Sequence, residues 1–164
     1  MGILGGALFS FLMLVSLGSS TPEELAGRIF TAIESNDFGA IRKLMVDPAD
    51  VALTLDHFDM DSNRREKVKK SLVEKIQTDM ELTLSTIEDG FNDIQTVFSS
   101  KKCKKGVVMG TVNRNSSPVN GLPFEIGDLD IEIVCGKHHE KITVEIIHTE
   151  SGWYILEKLR LIHQ

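Results

Sequence analysis

The sequence predicts an α+β domain, with N-terminal helices packed on one face of a curved antiparallel β-sheet. Apolar residues recur every three or four positions as far as residue 89, which is the spacing of an amphipathic helix. Beyond residue 91 they recur at every second position, which is typical of strands. Short polar turns join the strand segments and favour antiparallel pairing. A chain of 164 residues is long enough for one domain with a real core.

The first helix has a clear N-terminal signal. Thr21 is a good capping residue, Pro22 follows at the first helical position, and Glu24 completes a capping box. A second short helix is predicted over residues 36–45. Pro48 is expected to end that helix, because the residue before a proline avoids the α-helical conformation.

The segment "LDHFDMDSNRREK", residues 55–67, raises the question of a metal site. Oxygen-bearing side chains alternate from Asp59 onward, as they do at the start of a calcium loop. Such a loop needs glycine at its sixth position and glutamate at its twelfth, but this chain has Arg64 and Lys70 there. We therefore interpret the segment as a helix cap and predict no metal ion. A transition-metal site at His57 is the remaining alternative.

A long helix is predicted over residues 63–89. Asp61, Ser62 and Asn63 would cap its free N–H groups, and Gly90 would end it as a C-terminal cap. One apolar stripe follows the helix at spacings of four and three residues: Val68, Leu72, Ile76, Met80, Leu84 and Ile87.

Five segments have the period-two pattern of strands. They are "DIQTVF", "KGVVMGTV", "DLDIEIVC", "KITVEIIHT" and "GWYILEKLRLI". In the third and fourth segments, one alternating set of residues is expected to face the core: Leu129, Ile131, Ile133, Cys135, Ile142, Val144 and Ile146.

Residues 1–20 contain no charged side chain. The apolar run over residues 3–17 has the length of a signal-peptide core and is short for a membrane span, which needs roughly 20 apolar residues. Cleavage is expected after Ser20, with cleavage after Gly18 as the other option. We expect a secreted or periplasmic protein whose single domain spans residues 21–164, with a membrane anchor at residues 3–17 as the alternative.

An exported chain with two cysteines has one disulfide open to it, between Cys103 and Cys135. Antiparallel pairing of the strands that carry them would place the two cysteines opposite each other and Val107 opposite Ile131. The alternatives are two reduced cysteines in a cytosolic protein, or a reactive thiolate at Cys103 among the lysines of "KKCKK".

The phrase "AIESNDFGAIRKLM" and the last hairpin "HTESGWYILEKLRLI" carry a resemblance to a known family. With the strands between them, they resemble the nuclear transport factor 2-like (cystatin-like) superfamily over about residues 21–162. The resemblance implies helices on a bent sheet. That superfamily includes isomerases, dehydratases, polyketide cyclases and many exported domains without known activity, so the resemblance implies a fold and no particular chemistry.

No catalytic set transfers from the superfamily by position. His148 continues the inward face of its strand and is a weak candidate for a general base, without a visible partner. No cofactor is expected. The net charge of −6 argues against a nucleic-acid partner, because binding to phosphates needs clustered lysines and arginines.

The predicted function is therefore noncatalytic: binding of a small molecule or a protein partner in the concave face of the sheet. One alternative is an isomerase or cyclase that uses a pocket histidine or aspartate. Another is a structural module that forms a homodimer through its sheet. An apolar pocket would favour ligand binding, a buried aspartate beside His148 would favour catalysis, and a flat exposed apolar sheet would favour dimerisation.

Overall fold

The structure, a computed structural model, describes residues 18–100, 103–109 and 124–163. These residues form an α+β arrangement of helices followed by an antiparallel sheet, as the sequence predicts. The helices are α1 (Pro22–Glu34), α2 (Phe38–Arg42), α3 (Pro48–His57) and α4 (Ser62–Ser100). The strands, in their order across the sheet, are β1 (Cys103–Met109), β2 (Glu125–Cys135), β3 (His138–Thr149) and β4 (Gly152–His163).

Helix α1 begins where its capping signal predicts. The Thr21 hydroxyl accepts a hydrogen bond from the N–H of Glu24 at 3.1 Å. The Glu24 carboxylate accepts from the N–H and the hydroxyl of Ser20, at 2.8 and 2.5 Å. In a standard capping box this carboxylate would accept from the N–H of the cap residue, Thr21, so the partner here is one residue earlier. The inward face of α1 is apolar and buried: Leu25, Ala26, Ile29, Phe30, Ala32 and Ile33.

The segment after α1 differs from the prediction. The helix expected over residues 36–45 is reduced to the short α2, capped by the side chain of Asp37. Pro48 does not simply follow a helix; it opens α3, and Asp47 supplies the cap. A proline is favourable at the first helical position because the N–H that it lacks would have no partner there. This is the same signal that starts α1, whereas the sequence predicts only that Pro48 ends the preceding helix.

Helix α4 is longer than predicted and continues past Gly90. Residues 93–98, "DIQTVF", which we predicted to form a strand, are its last part. Gly90 is not a C-terminal cap: an added Cβ would lie 1.7 Å from the carbonyl oxygen of Leu159. Glycine therefore lets the helix backbone touch the strand backbone, and Phe91 and Ile94 extend the buried stripe beyond it.

Both faces of the sheet are used, although we expected helices on one face. The alternation predicted for β2 and β3 is confirmed, since all of its predicted inward residues are buried. This first face packs against α1, α2 and the C-terminal half of α4 and forms the larger core. On the second face, α3 and the N-terminal half of α4 form a smaller core at one end of the sheet: Val46, Val51, Leu55, Phe124, Ile147 and Tyr154.

The rest of the second face carries polar cross-strand pairs. The Lys141 ammonium lies 3.0 Å from the Asp130 carboxylate, to which the Thr143 hydroxyl also donates at 2.7 Å. The His139 ring lies 2.7 Å from the Glu132 carboxylate. Dimerisation through the sheet stays a prediction. The described residues of this region would present charged groups, and not an apolar patch, to a second copy of the chain.

Three segments cover the outer edge of β4. Ser19 exchanges two backbone hydrogen bonds with Trp153. Leu44 and Val46 each form one backbone hydrogen bond with Ile155. Helix α4 crosses the strand further along. An open strand edge presents unpaired N–H and C=O groups that invite pairing with other chains, so this cover protects the edge.

Strand β1 forms the other edge of the sheet and pairs with β2. Cys103 lies opposite Cys135, and the structure joins the two by a disulfide. The register then departs from the prediction: Val108, and not Val107, lies opposite Ile131. The cause is a bulge, which adds one residue to β1 just before Val108.

Candidate ligand pocket

A pocket of about 580 Å³ lies on the second face of the sheet, beneath α4. Its lining is mainly apolar: Met45, Val46, Val51, Leu72, Ile76, Met80, Leu82, Phe124, Ile126, Ile147 and Leu156. The polar residues of the lining are Lys75, Asp79, Thr83, Thr86 and Glu157.

The pocket exists because the apolar stripe of α4 loses its packing partners in the middle. At one end of the stripe, Val68 packs against the smaller core, and at the other Ile87 is fully buried in the larger core. Between them, Met80 is 37% exposed and the neighbouring Leu82 is 72% exposed. Apolar surface left in water costs about 25 cal/mol per Å² relative to burial. A bound apolar molecule would remove that cost.

Three adjacent strands supply the floor of the pocket. Ile126, Ile147 and Leu156 come from β2, β3 and β4 and project from the second face. Successive residues of a strand point to opposite faces, so their neighbours Ile146 and Ile155 belong to the larger core. At this end of the sheet, β3 and β4 are therefore apolar on both faces.

Strand β4 is irregular beside the pocket. Two steps along β3, from Val144 to Ile146, correspond to four steps along β4, from Leu159 to Ile155. Lys158, inside this region, has a φ of 59°, which is uncommon for a residue other than glycine. Bulges of this kind bend a strand and increase its twist, and they are frequent next to functional sites. Here the irregular segment includes the two residues that β4 contributes to the pocket.

The charged groups of the described lining stand at the solvent side of the pocket. Lys75 and Asp79 project from α4 four residues apart, and Glu157 projects from β4. All three are exposed, whereas the floor is formed by Ile126 and Ile147. The pocket can therefore enclose the apolar part of a molecule and leave a polar end in contact with water.

His148 does not line the pocket. Its ring stacks on Trp153, with the ring centroids 4.6 Å apart, and Trp153 belongs to the larger core on the first face. Among the described residues, no carboxylate forms a hydrogen bond or an ion pair with His148. A general base needs both reach to a substrate and an orienting partner, so this geometry gives the weak candidate no support.

The oxygen-rich segment at residues 55–67 spans the end of α3, the turn over residues 58–61 and the start of α4. The Asp61 carboxylate caps α4 by accepting from the N–H groups of Asn63 and Arg64, at 3.0 and 3.1 Å. Ser62 and Asn63, which we also expected to act as caps, lie inside the helix. The cap is thus Asp61 alone.

The other acidic and imidazole groups of this turn contact protein groups. Both Asp56 oxygens accept from the Lys69 ammonium, at 2.8 and 2.9 Å, and this hydrogen bond lowers the pKa of Asp56 below its ordinary value. The His57 ring contacts the Glu150 carboxylate. Within the part of the chain that the structure describes, no three His, Cys, Asp or Glu side chains converge as a metal site would require.

Sequence reasoning did not locate the pocket, although a signal was present. It found the stripe on α4, but a stripe does not reveal what lies opposite it. The missed signal is the pair "II" at residues 146–147, which interrupts the alternation of β3, and the pair "IL" at residues 155–156, which ends an apolar run in β4. Two consecutive apolar residues in a strand indicate burial on both faces.

Comparisons with protein-family models, with curated proteins and with solved structures find no significant match to the chain. Among the described residues, no helix is both long enough and apolar enough to cross a membrane.

Proposed function

We propose that this protein binds a small apolar or amphipathic molecule between α4 and the second face of its sheet. The observation that carries the proposal is the pocket left where the stripe of α4 lacks packing partners. Ligand pockets in proteins have volumes of roughly 300–1,000 Å³ and mainly apolar walls. This pocket has a volume of about 580 Å³ and walls of that kind.

The lining supports binding in preference to catalysis. Its described part contains neither histidine nor cysteine, and its charged groups are exposed at the rim. Acid–base catalysis needs a titratable group held against the reacting atoms. A molecule on the floor of this pocket would instead meet Ile126, Ile147 and Leu156. No feature of the described residues specifically supports the isomerase or cyclase alternative.

The rim supports an amphipathic ligand. Lys75, Asp79 and Glu157 can offer hydrogen bonds and charge to a polar end group, and Thr83 adds a hydroxyl on the same side of α4. A few polar groups around an apolar pocket usually fix the orientation of the ligand.

The fold that we propose for the sheet and its first helix is the nuclear transport factor 2-like (cystatin-like) one. Support comes from the antiparallel meander of strands in sequence order and from α1, which precedes the sheet and packs on it. Trp153 and Tyr154 begin the last strand, one in each core. The extension of α4 onto the second face would be an addition to that fold, and it forms the pocket.

A binding titration tests the proposed function. N-phenyl-1-naphthylamine, an apolar dye that becomes fluorescent when it leaves water, is added to the protein and to a Thr83→Trp variant. Thr83 lines the pocket, so the indole should fill part of its volume. We expect saturable binding to the wild-type protein and an increase in Kd of at least about tenfold in the variant.

Thr78→Trp is the matched control. Thr78 lies on the same helix, is exposed and does not line the pocket. Its substitution should leave the Kd unchanged, with helix content and melting temperature recorded for both variants. Dye binding that is absent from the wild-type protein, or is equal in both variants, would refute the pocket as the binding site.

A further inference from the structure

The solvent side of the pocket carries more negative than positive charge. Its described lining contributes one cation, Lys75, and two anions, Asp79 and Glu157. Lys75 and Asp79 lie four residues apart on α4, so their opposite charges largely offset each other. Glu157 stands on the sheet side of the opening, and among the described residues it forms neither a hydrogen bond nor an ion pair. The opening is therefore left with the negative charge of Glu157.

Glu157 belongs to a row of carboxylates that crosses three strands. Glu145 of β3 lies opposite Glu157 of β4 on one side and opposite Asp128 of β2 on the other. Glu145 and Asp128 each follow or precede a residue of the larger core, so their side chains project from the second face, where the pocket lies. Like charges directly opposite each other on neighbouring strands repel. The row is therefore an unfavourable arrangement for the sheet by itself.

One described cation contacts this row. The Lys158 ammonium lies 3.3 Å from a carboxylate oxygen of Glu145. That oxygen is buried and accepts no hydrogen bond from any described group, so the ion pair is weaker than a hydrogen-bonded one. Asp128 is exposed and, within the described part of the chain, has no hydrogen-bonding or ion-pair partner. Three carboxylates and one ammonium leave the row with a net charge of −2.

The pocket is long as well as apolar. The lining residues of α4 extend from Leu72 to Thr86, a length of roughly 20 Å at about 1.5 Å per residue. A volume of about 580 Å³ along that length suits an unbranched chain better than a compact ring system.

We infer that the ligand of this pocket is a cationic amphiphile, with an unbranched apolar chain on the floor and a positively charged end group, such as an amine, beside Glu157. The inference rests on the proposed function and adds the charge of the ligand to it. The site is the apolar cavity, and the carboxylates only select the end group. An ammonium beside Glu157 is attracted by that carboxylate and by the row behind it, whereas an anionic end group is repelled by both.

Competition among three molecules of equal chain length tests the inference. Decylamine, decanol and decanoate are cationic, neutral and anionic at neutral pH. Each is titrated, at low ionic strength, into the full-length protein with N-phenyl-1-naphthylamine bound. Decylamine should displace the dye with a Kd at least about fivefold below that of decanoate, and decanol should lie between them. Added salt should narrow this difference, because it screens the exposed charges.

Substitutions at the rim give a matched readout, which is the ratio of the decanoate Kd to the decylamine Kd. Glu157→Gln should lower this ratio by about threefold, and Lys75→Gln should raise it. Glu88→Gln is the control, because Glu88 is an exposed carboxylate of α4 that does not line the pocket, and it should leave the ratio unchanged. A general loss of affinity in one variant affects both Kd values and cancels in the ratio.

The outcomes separate this inference from the proposed function. If decanoate binds as tightly as decylamine, or if none of the three displaces bound dye, the cationic ligand is refuted, while dye binding still supports the pocket. If the dye itself does not bind, the pocket is refuted and the inference with it. The comparison on the wild-type protein needs no variant to fold.

Discussion

Two glycines determine where distant parts of the chain touch at backbone distance. Gly90 lets α4 lie against the carbonyl of Leu159, and Gly152 lets the Ser19 carbonyl approach the start of β4. Gly152 also has a φ of 125°, a conformation that side-chain-bearing residues rarely adopt. From the sequence, Gly90 was predicted to be a helix cap, because nothing in a single sequence distinguishes a glycine that ends a helix from one that admits a neighbouring strand.

Replacement of Gly90 with alanine tests this contact. Alanine is the better helix former, so an isolated helix would gain about 1 kcal/mol. The added methyl group would meet backbone atoms of Leu159, which cannot rotate away. We expect the free energy of unfolding to fall by about 2 kcal/mol, as measured by urea denaturation. Asp89→Ala, at an exposed neighbouring position, should change it little. A stabilised Gly90→Ala variant would contradict the close contact.

Glu24 predicts a pH dependence of stability. The hydrogen bonds from Ser20 lower the pKa of Glu24 in the folded state below its ordinary value of 4.5. A carboxylate with a lowered folded-state pKa stabilises the fold above its unfolded pKa, and this contribution disappears as the pH falls through the folded pKa. The urea midpoint of Glu24→Gln should therefore change less than that of the wild-type protein between neutral pH and about pH 3. If the urea midpoints of both proteins changed equally, Glu24 would not contribute to the pH dependence of stability.

At the scale of elements, side-chain oxygens set where the longer helices begin. Thr21 caps α1, Asp47 caps α3 and Asp61 caps α4. The first was predicted correctly and the last lay within a predicted group of three. The start of α3 was missed because a proline signals both the end of one helix and the start of another. Only the packing of α3 on the smaller core decides between the two.

The cap of α4 gives a prediction at this scale. Asp61→Ala removes the acceptor for two backbone N–H groups and should lower the free energy of unfolding by about 1 kcal/mol. Asp61→Asn keeps an acceptor oxygen and should cost much less. Ser62→Ala should also cost little, since Ser62 lies within the helix. A Ser62→Ala variant as unstable as Asp61→Ala, in the same urea titrations, would show that the cap is misassigned.

The end of α4 shows where local pattern fails. "DIQTVF" contains β-branched and aromatic residues and begins three residues after Gly90, so its local preference is mixed. Its helical state is specified by Ile87, Phe91 and Ile94, which recur at intervals of four and three residues and are all buried on the first face. Tertiary packing thus decided between two patterns that the sequence left nearly balanced.

The disulfide between Cys103 and Cys135 links β1 to the rest of the sheet. It closes a loop with a sequence separation of 32 residues, for which the chain-entropy model gives a stabilisation of roughly 3.7 kcal/mol. Because both cysteines are in this bond, protein purified from a secreting host and denatured without reductant should show no reaction with a thiol reagent. Two reactive thiols per chain would contradict the bond, and reduction should lower the melting temperature of the intact protein.

At the scale of the whole molecule, the sequence predicted the α+β class and the buried face of β2 and β3. It did not predict that helices cover both faces. The first face is filled by α1 and the C-terminal half of α4. A ligand in the concave face of the sheet stays a prediction. The pocket lies on the second face because one helix is shared between two cores and leaves a gap where it passes from one to the other. The apolar pairs at residues 146–147 and 155–156 indicate that both faces are covered, but the position of the gap depends on how α4 packs in three dimensions.

The measurement that tests the ligand pocket most directly is methyl NMR of the isoleucines during titration with N-phenyl-1-naphthylamine. Ile146 and Ile147 are adjacent in β3, but Ile147 lines the pocket and Ile146 lies in the larger core. Binding in the pocket should shift the Ile126 and Ile147 methyl signals with saturation while those of Ile131 and Ile146 stay in place. Shifts at Ile131 and Ile146 without shifts at Ile126 and Ile147 would contradict it, as would a dye that moves none of the four.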